Sequence, residues 1–172
     1  MNIFAIEQDD QGNIDWAASA KAQDNYRVVK MILESCQMMC TAVNLQHGEQ
    51  VTPYRNVHAK HPSTLWVRES SHNFEQLVEH TLAMLEEYTE RFGKIHKCAS
   101  VLEKILDVYD ETLFPNQHET RLPLCMPQEF KSDNIVDSYR RFYASKPRIR
   151  YPETKVPMWF RKYRGDLPFQ VI

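Results

Sequence analysis

Arg27, Lys30, Glu34 and Gln37 recur at steps of three and four, the interval that lines side chains up on one face of a helix. Left on open surface such a line is a solvated face, and Lys30 with Glu34 at i,i+4 contributes about 0.3 kcal/mol of helix support. Bordering a cleft, the same residues do chemistry: Glu34 becomes a general acid or base, and Lys30 an amine nucleophile or a phosphate contact. His58 and His61, in the run His58-Ala59-Lys60-His61-Pro62, are candidate proton-transfer groups. Their spacing suits two ligands of one metal on a helical turn, yet no third ligand is near, so loop hydrogen bonds or acid–base work are expected and no metal or other cofactor.

A second concentration of chemistry lies near the other end. Pro157-Met158-Trp159-Phe160-Arg161-Lys162-Tyr163-Arg164-Gly165 interleaves aromatic rings with cations, and Arg148 and Arg150 precede it. Cations neutralise phosphates and ring faces stack on exposed bases, so this pattern suits a polyanion, with double-stranded DNA as the expected partner. The competing expectation is that Trp159, Phe160 and Tyr163 only anchor the segment to a core. Between Arg140 and Arg164 stand nine basic residues and one acid, Glu153, so this window is +8 while the whole chain is −2. A polyanion would therefore meet one side of the molecule. A glycine-rich phosphate loop, a serine or cysteine nucleophile in a recognisable turn and a dinucleotide fingerprint are all missing.

The elements that must position these groups are legible as periodicity. With 172 residues, 42% hydrophobic and 26% charged, the chain fits one globular domain spanning 1–172, and no apolar run reaches the roughly 20 residues of a membrane span. The start, apolar residues 1–6 followed by acids, lacks the basic n-region and cleavage site of a secretory signal, so a cytoplasmic location is expected. Cys36, Cys40, Cys98 and Cys125 are spaced unlike a zinc finger and are expected to be reduced core thiols.

Residues 1–6 read as a strand or extended arm. Val29, Ile32, Cys36, Met39 and Val43 give a helix over about 25–45, and residues 48–62 a loop. Ser63 is expected to cap a short helix through Arg68. Asn73 with Gln76 forms a capping-box signal for a second long helix, its Phe74, Leu77, Val78, Leu82, Leu85 and Phe92 facing inward and Gly93 ending it. A third helix over 98–109 and a fourth over 134–143, capped by Asp133, complete the set. Most of the charged cluster Glu86, Glu87, Tyr88, Glu90, Arg91, His96 and Lys97 is expected on helix surface. Residues 146–172, holding prolines and no sustained period, should wrap over the helices as irregular backbone. The expected architecture is an all-α, compact helical bundle with long loops and a basic, aromatic tail.

Four stretches carry a resemblance: residues 28–34 (VVKMILE), 85–93 (LEEYTERFG), 126–133 (MPQEFKSD) and 157–161 (PMWFR). In these, and in their order, the chain resembles the pyrimidine-dimer DNA glycosylase (endonuclease V) family, especially its phage-encoded members. The resemblance implies an all-α fold and, without a metal, N-glycosylase and abasic-lyase activity on a damaged base flipped from bent duplex DNA. It places the central carboxylate at Glu34. Asn2 stands where the family has the threonine whose amine is the nucleophile, Arg27 where it has a histidine, and Leu33 where it has an arginine. The amine is then expected from Met1 or Lys30, and phosphate contacts from Arg27, Lys30 and the tail. His58 and His61 point to an alternative, a base- or nucleotide-modifying enzyme that uses them with Glu34. A non-catalytic DNA-binding protein on the same scaffold is the third expectation.

Overall fold

The computed structural model describes residues 1–172. In chain order its helices are α1 (Trp16–Lys21), α2 (Asn25–His47), α3 (Pro62–Glu69), α4 (Ser71–Phe92), α5 (Ala99–Asp107), α6 (Ile135–Ala144) and α7 (Phe160–Arg164). The only paired strands are β1 (Arg150–Tyr151) and β2 (Gln170–Val171), two residues each and parallel. The class is all-α. None of the helices is long and apolar enough to cross a membrane.

The frame is α2 packed on α4, with α1 and α3 against both or either. Asp24 starts α2 by accepting the Tyr26 N–H at 3.0 Å, and Gly48 ends it at φ 75°, a left-handed conformation that glycine adopts without Cβ strain. Between them Val28, Met31, Ile32, Cys36, Met39 and Val43 are buried, as the apolar period requires. Val29 departs from that face and is exposed. Gly93 stops α4 in the same left-handed way.

Helix starts differ from expectation where a side chain found a better partner. α4 begins at Ser71, capped by Ser70, whose Oγ accepts the His72 N–H at 3.1 Å. Asn73 instead turns inward, donating to the Trp66 carbonyl at 2.9 Å and to Thr120 Oγ1 at 2.7 Å, so it ties α3, α4 and the following connector together. Along α4, Leu82 is exposed rather than inward. α3 is capped by His61, not Ser63: the ring Nδ1 accepts the Ser63 N–H at 3.2 Å, and Pro62 occupies the first turn, where its missing N–H costs nothing. Asn134 rather than Asp133 caps α6.

The N-terminal residues form an extended arm threaded through the core. Ile3, Phe4, Ala5 and Ile6 are all fully or almost fully buried. Ser19 on α1 holds the arm by accepting the N–H groups of Ile6 at 3.0 Å and Glu7 at 2.9 Å. Cys36, Cys40 and Cys98 are buried free thiols, and Cys125 is a half-buried one.

The C-terminal segment is more ordered than its prolines suggested. It carries α7 and the β1–β2 pair, because an aromatic cluster joins it to the main core and one arginine clamps its backbone. Phe160 is fully buried against Tyr151, Trp159 and Phe169. Arg164 is 5% exposed and donates to the carbonyls of Ala144, Lys146, Leu167 and Pro168. It thereby caps the C-terminus of α6 with a guanidinium, where both the unpaired carbonyls and the helix dipole favour a cation.

A candidate active-site cleft

The polar line of α2 borders a cleft. Met1, Asn2 and Phe4 of the N-terminal arm, Tyr26, Arg27, Lys30, Met31 and Glu34 of α2, and Lys146, Pro147 and Arg148 after α6 enclose about 590 Å³. Three chain segments far apart in sequence thus meet at one place. Gln37, one step further along α2, lies outside it and lines a separate hollow with Gln50 and Tyr54.

Glu34 sits on the cleft wall with its side chain 15% exposed, paired with Lys30 at 3.2 Å. Lys30 is 71% exposed, so that pair is screened and contributes little to stability. Its significance is positional: a carboxylate and an ammonium face the same space.

Arg27 is half spent on structure. Its guanidinium pairs with Asp24 at 3.2 Å and donates to the carbonyls of Pro147 at 3.0 Å and Arg148 at 3.2 Å. It clasps the far wall of the cleft to α2. Asp24 is fully buried, and Tyr143 donates its hydroxyl to that carboxylate at 2.5 Å. Burial, with Tyr151 and the Asp24 charge beside it, pushes the Tyr143 hydroxyl well above the usual phenol range, so it stays a donor.

Lys146 is half-buried in the same wall, and its Nζ lies 3.5 Å from the centroid of the Phe142 ring. Burial, followed by the charges of Arg27 and Lys30, lowers its pKa below the usual lysine value, against an opposing pull from Glu34. Sequence reading missed Lys146 because nothing local marks it. Tyr26 was missed too: a ring 50% exposed on the cleft rim, shared with a neighbouring hollow lined by Arg148 and Phe169.

His61 does not line the cleft. It stays within reach of its charges: partial burial first, then the Met1 ammonium and His58, lower its pKa, and Glu34 raises it. Its Nδ1 is taken by the helix cap, which leaves Nε2 for other work. His58 is exposed and holds φ 48°, a left-handed turn conformation. The two rings therefore stand in different settings.

Most of the tail's rings and some of its cations face inward, against the expectation of a DNA-facing surface. Phe160 is core and Arg164 is a carbonyl clamp, so neither can meet DNA. Trp159 donates its indole N–H to Glu7 at 2.5 Å, under the Arg140 guanidinium at 5.1 Å from the ring. Tyr163 donates to Asp137 at 2.8 Å. These rings anchor the segment, the competing expectation. The nine cations sort likewise: Arg140 pairs with Glu7, Arg141 with Asp137, and Lys155 with Glu87 and Glu90. Lys146, Arg148, Arg150, Arg161 and Lys162 carry no carboxylate partner. Glu87 and Arg91 also leave the expected surface: the pair is buried at 2.7 Å, and Arg91 donates to the Gln23 and Lys21 carbonyls between α1 and α2.

Chemically, the cleft offers a shielded carboxylate, two lysine amines, two arginines and an aromatic rim. Asn2 adds a side-chain oxygen that accepts from no protein group. No protein-family model, curated protein or solved structure matches this chain.

Proposed function

We propose that the protein processes DNA, acting as a glycosylase and abasic lyase on a damaged or modified pyrimidine flipped from the duplex. The observation that carries this reading is the meeting of Glu34 with Lys30, Lys146 and Met1 around one open cleft walled by cations. A cleft of this size accepts a nucleoside. Arg27, Lys30 and Arg148 supply charge for its phosphates, and Tyr26 a ring face for an unstacked base. An amine attacks the sugar C1′, and Glu34 moves the proton. The resemblance over residues 28–34 adds to this reading, placing the central carboxylate at Glu34.

The test is strand cleavage of ultraviolet-irradiated duplex DNA, compared with untreated duplex and with the Glu34→Gln variant. Lesion-dependent cleavage that the variant loses supports the reading. Binding without cleavage or base loss overturns it. The alternative is a base- or nucleotide-modifying enzyme using His58, His61 and Glu34, although neither histidine lines the cleft. Intact DNA carrying a base of altered mass would select it.

A further inference from the structure

We propose that Lys146, rather than Lys30 or the Met1 amine, forms the covalent bond to substrate, condensing with the C1′ aldehyde of an abasic deoxyribose held in the cleft. This inference rests on the lyase reading above and assigns its nucleophile.

Two lysines line the cleft, and their surroundings differ. Lys30 is largely in water and is occupied by Glu34. Lys146 is half-buried, has no carboxylate partner and is held against the Phe142 ring. Its backbone is fixed on both sides: its N–H donates to the Tyr143 carbonyl at 3.1 Å, and its own carbonyl accepts from Arg164 at 2.8 Å. The next two carbonyls are gripped by Arg27. With the backbone held in this way, only the torsions of the side chain remain to be ordered when the amine reaches a bound aldehyde. Burial beside Arg27 and Lys30 raises the fraction present as free amine, the nucleophilic form, although the ring face and Glu34 oppose this.

The step balances with Glu34 as its only proton-transfer partner. The Nζ lone pair forms the N–C1′ bond while the carbonyl π pair moves to oxygen. That oxygen takes one proton from the nitrogen and one from the Glu34 carboxyl group, which holds the proton that the Lys146 ammonium gave up to become the free amine, and leaves as water, giving a protonated imine. The Glu34 carboxylate then removes a C2′ proton, and the electron pair expels the 3′ phosphate as the C3′–O bond breaks. Water hydrolyses the imine and restores the amine.

The experiment uses the full chain, a duplex oligonucleotide with one abasic site, and borohydride to reduce the imine. The reduced adduct is digested and its position read by peptide mass spectrometry. The expected result is a single adduct on Lys146. In Lys146→Arg, trapping falls on the order of 100-fold or more. An adduct on Lys30 or on the Met1 amine overturns the assignment and leaves the lyase reading standing. No adduct on any residue, with the DNA uncut, overturns both. Mapping on the unmutated protein keeps the outcome decisive even if Lys146→Arg folds poorly, which its melting curve reports.

Discussion

At the residue scale, the behaviour of Glu34 and His80 can be forecast from their settings. Glu34→Gln keeps the volume of the side chain and one accepting oxygen, and removes the charge that pairs with Lys30 and accepts a proton. Under the proposed function, cleavage should fall roughly 10²–10⁴-fold with binding little changed, measured by single-turnover cutting and by filter binding. His80 is a buried structural histidine, with Nδ1 2.8 Å from the Trp16 carbonyl and Nε2 3.2 Å from the Gln23 amide nitrogen. A carbonyl only accepts and an amide NH2 only donates, so the ring is neutral, with its proton on Nδ1. Burial holds its pKa down to about 4. The unfolded chain, with an ordinary histidine, binds more protons than the folded one between about pH 6.5 and 4. Stability is therefore full above this window and falls as pH drops through it, by about 3 kcal/mol in all. Urea titrations at stepped pH should show this slope, and His80→Gln should flatten it while lowering stability throughout.

At the element scale, the joints between segments decide whether the cleft exists. Arg164→Met keeps the buried stem but strips the clamp from α6 and from the turn after α7. A loss of about 3 kcal/mol is expected, because the Ala144 carbonyl stays buried without a donor. Thermal melting measures it, and an unchanged melting temperature would mean that the clamp is idle. Tyr143→Phe should cost about 2 kcal/mol, since Asp24 then loses a donor to its carboxylate and an acceptor for its N–H. The elements that sequence made legible were the long periodic ones. α2 and α4 carry several turns of apolar residues each, so the period outweighs single exceptions such as Val29 and Leu82. α1 went unseen because six residues give too few turns to show a period. α7 and the β1–β2 pair are likewise products of tertiary packing: a buried phenylalanine and one arginine order a proline-rich stretch that has no local period. The site divides in the same way. Lys30 and Glu34 were legible because they share one helix face. Lys146 and Tyr26 were not, since the first reaches the cleft only through a clasp between Arg27 and Arg148, 121 residues apart in sequence. The aromatic tail misled because ring-and-cation patterning is common to base stacking and to self-anchoring, and burial alone separates them.

At the scale of the whole molecule, the basic window is less available than its formal charge, because four of its nine cations are consumed internally. If the four exposed ones among the unpartnered five, Arg148, Arg150, Arg161 and Lys162, together with Lys30 of α2 each met a phosphate, the logarithm of DNA affinity would fall against the logarithm of salt with a slope of about −4.5. Arg150→Ala and Lys162→Ala should each reduce that slope by about 1, whereas Arg140→Ala should mainly lower stability. Fluorescence anisotropy across a salt series distinguishes them, and a slope indifferent to both surface variants would remove the phosphate assignment. The arm at the start and the wall after α6 also share the cleft, and this has a temporal consequence. The wall that Arg27 clasps lies about 120 residues after it in sequence, and a nascent chain still lacking that wall has α2 and its glutamate but only one side of the cleft. Translation itself then withholds the cleft until the wall after α6 has been made, so a product arrested before that point would carry the carboxylate without the opposing wall.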